Sequence, residues 1–241
     1  MKKNLKEHRF FLLLFALILF NISLSIQYYF LKNKENHRVT EVIHFQNATS
    51  EKKMTEEKHP YQLRVYYPVT NYPTFNKEID TKIQSYIQDF KKEISNSEVQ
   101  LNQSYTLDIL YQEFQTNPYI SYVFTVFQDT GGAHPISFYD AISYNIETNQ
   151  MVTIENLVKE NPNFLEIVSK STREQLSKNS KIVNYDMMME GTLPKIENFK
   201  TFAITEEGYL FFFSPYQVAP YSSGKFQVLV PYSVFKEAVS S

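Results

Sequence analysis

Cysteine is absent from the 241 residues, and glycine is scarce at five. The first absence excludes disulfides, thiolate nucleophiles and cysteine-ligated zinc or iron–sulfur sites. The second leaves no room for glycine-rich phosphate-binding loops. Histidine is placed almost as thinly. His8 precedes an apolar run, His37, His44 and His59 lie in or beside a polar stretch behind it, and only His134 belongs clearly to the globular part. No His-x-x-x-His pattern supports a zinc hydrolase, no Gly-x-Ser-x-Gly elbow marks a serine nucleophile, and no acidic spacing resembles an EF-hand. A carboxylate pair for glycoside hydrolysis stays open, since any acidic chain holds candidates. No cofactor and no metal are expected, and no catalytic constellation emerges.

What is present is apolar and aromatic. A 43% hydrophobic and 16% aromatic composition is ample for a core. Lys2, Lys3, Lys6 and Arg9 form a short basic tail, 1–9, ahead of an uncharged run over 10–31. As a helix that run would reach ~33 Å, enough for the hydrocarbon core of a bilayer. The basic flank keeps the N-terminus cytoplasmic and exports the rest. A cleavable signal peptide is the rival, with Ser23-Leu-Ser25 as a small-x-small site. The uncharged run continues past that site into Tyr28, Tyr29 and Phe30, which favours an uncleaved membrane anchor.

Residues 32–58 are polar, mixed in charge and aperiodic, and read as a stalk. From 59 to 241 there are 14 Lys or Arg against 20 Asp or Glu, a net of −6. That balance disfavours nucleic acid and suits a cationic partner, or serves solubility alone. The fold class expected is α+β, a mostly antiparallel sheet with helices packed on one side, preceded by one transmembrane helix. Phe75, Ile79, Ile83, Tyr86, Ile87, Phe90 and Ile94 recur at helical spacing. Strands are expected at 61–67, 105–114, 119–128 and 138–146, the last three as an antiparallel meander, and 119–128 is apolar on both faces. Asn161-Pro162 reads as a helix start, and residues 201–213 as a hairpin around Thr205-Glu-Glu-Gly208, followed by a strand over 225–230. The segment around Met187, Met188 and Met189 shows no period.

Two runs stand apart from ordinary loops. In Asp129-Thr-Gly-Gly-Ala-His-Pro135, Gly131 and Gly132 supply backbone freedom, Pro135 removes it, and Asp129 and His134 are the nearby ionisable groups. The second, Phe213-Ser-Pro-Tyr-Gln-Val-Ala-Pro-Tyr-Ser-Ser-Gly224, sets two prolines and two tyrosines behind three phenylalanines. His134 either holds the bend or touches a ligand. Tyr216 and Tyr221 either form a recognition surface or pack on a sheet edge. The ligand-binding candidates are therefore Asp129, Gly131, Gly132, His134, Tyr216 and Tyr221, and they define a site if they converge.

These runs, with Tyr144-Asn-Ile-Glu-Thr-Asn-Gln150, Ile154-Glu-Asn-Leu157 and Val228-Leu-Val-Pro-Tyr232, resemble the extracellular domain of RsiV-like, lysozyme-sensing anti-sigma factors. A similar module follows a companion domain in some membrane-anchored peptidoglycan deacetylases. The resemblance implies a companion domain over 59–128 and an RsiV-like domain over 129–241. It implies a membrane-anchored, non-catalytic binding or sensing module of the Gram-positive envelope, for lysozyme or another cationic ligand. An accessory or enzymatic role in peptidoglycan modification is the alternative. Only nine residues precede the apolar run, where the anti-sigma factors carry a sigma-binding segment. No Thr-Phe-Asp-Asp-Gly-Pro motif of the deacetylases occurs, so neither of those activities is expected.

Overall fold

The structure is a computed structural model that describes residues 50–96 and 104–237. The expected tail and membrane span lie outside the described residues, among which no helix is long and apolar enough to cross a membrane. Strands β1 (Ser50–Lys58), β2 (Tyr61–Val69), β3 (Tyr105–Thr116), β4 (Tyr119–Asp129), β5 (Ile136–Asn145) and β6 (Gln150–Val152) form one sheet in that spatial order. All its pairings are antiparallel except β2 with β3. A parallel neighbour requires a crossover, and α1 (Pro73–Asn96) lies within that connection. Phe75, Ile79, Ile83 and Phe90 of α1 are fully buried against alternate residues of the sheet, among them Leu63, Leu107, Tyr122, Phe124 and Tyr144. Each such side chain contributes about 1.5–3 kcal/mol through the apolar surface it removes from water.

The opposite face of the sheet is covered by a second one. Strands β7 (Phe202–Ile204), β8 (Gly208–Phe213) and β9 (Phe226–Pro231) make a three-stranded antiparallel sheet. Ala203 and Phe212 meet Val123 between the layers, with Phe114, Tyr139 and Ala141 packed around them. Phe211 and Phe213 point the other way, where Phe199 meets each ring edge-on. The Phe211-Phe212-Phe213 run is thus apolar throughout because both faces of its strand are covered. Helices α2 (Ile154–Glu160), α3 (Phe164–Leu176), α4 (Tyr185–Gly191), α5 (Ile196–Phe199) and α6 (Tyr232–Glu237), with a short 3-10 turn over Tyr221–Ser223, complete the described elements, and buried residues of α2 to α5 pack on the outer face of the second sheet.

The α+β expectation holds, with helices flanking two stacked sheets. Strand β4 is buried on both faces: Ile120, Tyr122, Phe124 and Val126 face α1, and Ser121 and Val123 face the second sheet. Ser121 Oγ accepts from Ser143 Oγ at 2.8 Å and from the Ile204 backbone N–H at 3.1 Å, so one hydroxyl joins the sheets. Replacing it by alanine strands a buried N–H, which costs about 1–3 kcal/mol. Urea unfolding of Ser121→Ala is expected to register that loss, whereas an exposed change such as Ser95→Ala leaves the midpoint in place.

Three expectations need correction, and one unassigned segment gains a structure. The stalk does not extend to residue 58, because Ser50–Lys58 is a strand paired along its length with β2. Its side chains are exposed apart from a half-buried Met54 and Glu56, so hydrophobic alternation is missing and only the backbone ladder declares it. Charge on such an edge also discourages pairing with another chain. The boundary between 128 and 129 falls inside the first sheet, where β4 and β5 pair from Tyr119↔Asn145 to Gln128↔Ile136. The helix expected behind Asn161 is α3, but it begins at Phe164 with Asn163 at its N-cap, and Asn161 itself lies before it. Its N–H donates to Leu157 O at 2.9 Å and ends α2, whose start is fixed by the Thr153–Asn156 capping box. The aperiodic methionine segment is α4, which turns Met188 into the core while Asn184 caps its start.

Candidate functional site

The turn from β4 to β5 is built by its own residues. Asp129 Oδ1 accepts from the Gly131 N–H at 3.1 Å, and Gly131 has φ 82°, where a side chain is disfavoured. Thr130 Oγ1 donates to Glu93 Oε1 at 2.8 Å and ties the turn to the end of α1. Gly132 has open space where a side chain would stand and no positive φ, so the bend does not require glycine there. Asp129 and Gly131 therefore shape the turn.

The chain from β8 to β9 crosses above the beginning of β5. Val218 and Ala219 are buried in the core of the second sheet, and Gln217 Nε2 donates to Asn198 O at 2.9 Å. Tyr216 N–H donates to Ala219 O at 3.1 Å and Ser214 Oγ accepts from the Tyr139 N–H at 3.0 Å. This bracing holds Tyr216 at φ 68° with 57% of its surface exposed. A left-handed tyrosine costs about 1–2 kcal/mol. Such strain persists only where surrounding contacts over-determine it, and it is concentrated at functional positions.

Three rings converge here from the two loops. His134 lies 4.6 Å from Tyr221 and 6.3 Å from Tyr216 between ring centroids, and the tyrosines are 5.6 Å apart. His134 Nδ1 sits 3.0 Å from Pro135 O, which can only accept, so Nδ1 donates there, and Nε2 lies 3.3 Å from Tyr216 Oη. Tyr221 Oη donates to the same Pro135 carbonyl at 3.0 Å. Of the six candidates, His134, Tyr216 and Tyr221 thus come together on one surface, His134 and Tyr216 exposed and Tyr221 half-buried, with Ile136, 46% exposed, next to Pro135 in the chain.

The site has a member that the sequence reading passed over. Lys225 Nζ donates to Ser137 Oγ at 3.0 Å and lies 4.6 Å from the centroid of the Tyr139 ring. Gln227 Nε2 reaches Tyr139 Oη at 3.3 Å from the next position along β9 on the same side. Burial alone pushes the Lys225 ammonium below its usual range. The signal was available, since Lys225 is the sole Lys or Arg between residues 201 and 235. Among the described residues no group of three or more His, Asp or Glu side chains is placed to hold a metal ion. The arrangement is suited to binding: flat amphipathic faces, two hydroxyls and one cation.

Comparison with known proteins divides the chain in two. Residues 54–137 match a family described as deacetylase PdaC, and residues 155–233 match a protein family of unknown function, DUF3298. The chain is 29% identical over 180 residues to the peptidoglycan-N-acetylmuramic acid deacetylase PdaC of Bacillus subtilis, covering 69% of this chain and 38% of that protein. It is 30% identical over 113 residues to an esterase of Mycobacterium tuberculosis, covering 47% of this chain and 49% of that one. The chain therefore spans less than half the length of each. Crystal structures of DUF3298 proteins from Bacteroides fragilis and Pseudomonas aeruginosa share the fold. Their TM-scores are 0.52 and 0.58 at 14% and 12% identity, over 79% and 78% of this chain and 94% and 92% of theirs.

Proposed function

We infer that the chain is an extracytoplasmic binding module of the cell envelope, held at the membrane through residues 10–31, and that it engages the sugar backbone of peptidoglycan at the His134–Tyr216–Tyr221 surface. The observation that carries this reading is the convergence of three rings from loops more than 80 residues apart, one of them held exposed in a strained backbone conformation. Flat rings with polar edges suit sugars, whose axial C–H groups lie on the π face while their hydroxyls meet the ring's own polar atoms. Similarity to a protein named for peptidoglycan deacetylation supports the same setting. The RsiV-like kinship and a place in the Gram-positive envelope are part of this proposal. No catalytic role is assigned to the ring surface.

Tyr216→Gly is the informative variant, because glycine accepts φ 68° freely. Its stability is expected to stay level or rise by up to about 1 kcal/mol, since the strain is relieved. Its affinity for chitotetraose, followed by calorimetry on the full chain, is expected to fall at least tenfold, with Tyr221→Ala behaving alike. Full binding by both variants would rule the surface out. A second reading rests on the net charge of −6 over residues 59–241, which suits a cationic protein such as lysozyme. In that case titration with lysozyme shows binding that weakens steeply with salt and ignores Tyr216→Gly.

A further inference from the structure

Along β5 the odd-numbered side chains face the second sheet, and the crossing segment grips the chain at Pro135, just before the strand, and at Ser137 within it. Tyr221 Oη holds the carbonyl of Pro135 at 3.0 Å, and Lys225 Nζ holds Ser137 Oγ at 3.0 Å. The two anchors are two residues apart, about 7 Å along an extended chain. The cation therefore stands beside the ring surface, on the same stripe. It is half-buried, and its contacts are a neutral hydroxyl and the Tyr139 ring face. Among the described residues it makes no ion pair, whereas Lys52, Arg64, Lys82, Lys91 and Lys195 each meet a carboxylate.

A desolvated ammonium without a counter-charge is costly to keep, and a serine hydroxyl and a π face compensate only part of its lost hydration. Burial is the one influence that lowers its proton affinity, and no nearby acid raises it. Three N–H donors sit on Nζ and one is committed to Ser137. An anionic acceptor arriving from the ring surface would complete the shell with a charge-assisted hydrogen bond.

We propose that Lys225, with Ser137 beside it, is a carboxylate subsite of the ring surface, so that the sugar preferred there carries an acidic substituent. This rests on the sugar-binding reading and adds the chemical class of the ligand. Of the two sugars that alternate in peptidoglycan, N-acetylmuramic acid is the match where its stem peptide has been removed, because only then is the lactyl carboxylate free rather than bound in an amide, and it is seated with its ring over Tyr221 and its acid at Lys225.

The test compares two peptide-free tetrasaccharides on the full chain by calorimetry: chitotetraose, which is neutral, and the alternating N-acetylglucosamine–N-acetylmuramic acid tetramer. The acidic tetramer is expected to bind about tenfold more tightly, as one charge-assisted hydrogen bond allows. In Lys225→Met that preference is expected to shrink below twofold, with circular dichroism and the thermal midpoint of the variant reporting that the fold is intact. Equal affinity of the wild-type chain for both sugars overturns the carboxylate subsite alone, as does a preference that survives Lys225→Met. Binding of neither sugar overturns the sugar-binding reading and the subsite with it.

Discussion

Gly191→Ala is expected to lower stability by about 3 kcal/mol, the upper end of what an added methyl costs in a packed interior, and to spoil the ring surface with it. Gly191 is the last residue of α4 and is buried. A Cβ there would stand 1.8 Å from Gln217 O, 2.7 Å from its carbonyl carbon and 3.1 Å from Val218 Cγ1. The first two are backbone atoms, so no side-chain rotation relieves the clash. Nor is the crossing segment free to retreat, with Val218 and Ala219 fully buried and Gln217 bonded to Ser214 O and Asn198 O. Either α4 or residues 214–219 must move, and Tyr216 lies in the latter. Thermal unfolding followed by circular dichroism should show a midpoint about 6–12 °C lower, given 2–4 °C per kcal/mol for a chain this size. Sugar affinity should fall at temperatures where the variant is still folded. A midpoint within 1 °C of the wild type would mean that the close approach of α4 to Gln217 is not as described.

Phe75→Ala should cost about 3–5 kcal/mol, the range for emptying a large aromatic site. Phe75 is completely buried in the first turn of α1. Its ring stacks on Tyr144 at 4.6 Å between centroids with 7° between planes, and on Tyr122 at 5.5 Å with 26°. Tyr144 is itself restrained by a hydrogen bond to Asn149, so the neighbours cannot simply collapse into the space. The loss exceeds burial alone because the stacked pairs add to it. Phe75→Leu, which keeps most of the volume, should recover a large part. Urea unfolding of the three proteins gives the comparison, and equal midpoints for alanine and wild type would refute the stacking account. Unlike Gly191→Ala, this change is remote from the rings at Tyr216, and sugar affinity should survive wherever the chain is folded.

Much of this architecture was legible in the residues, for identifiable reasons. The seven apolar positions from Phe75 to Ile94 gave α1 because one face alone is covered, so the helical period is visible. The strand at 119–128 read as central because no polar face survives in it. Strand β1 was missed for the converse reason: it is an edge most of whose side chains face water, and Ser-Glu-Lys-Lys-Met-Thr-Glu-Glu-Lys carries no hydrophobic alternation. The second sheet was hidden by its brevity, since β7 has three residues and its place depends on contacts with Val123 and Ser121 far away in the chain. The convergence of His134 with Tyr216 and Tyr221 could be posed as a question but not answered, because it spans 82 residues. Lys225 needed the structure most. A lysine beside a loop is unexceptional until its surroundings are known, and here they are a hydroxyl and an aromatic ring.

The two-sided burial of β4 bears on how this chain can be divided or recombined. The segment that matches the PdaC family ends at residue 137, and the DUF3298 match begins at residue 155. Most of β5 lies in the gap, paired to β4 along its length. An excised first segment would leave Val123 facing water and Ser121 without Ile204. An excised second segment would do the same to Ala203 and Phe212. The seam between the two names runs through a wall that both rooms lean on, so exchanging modules with a related protein must carry β4, β5 and the second sheet together.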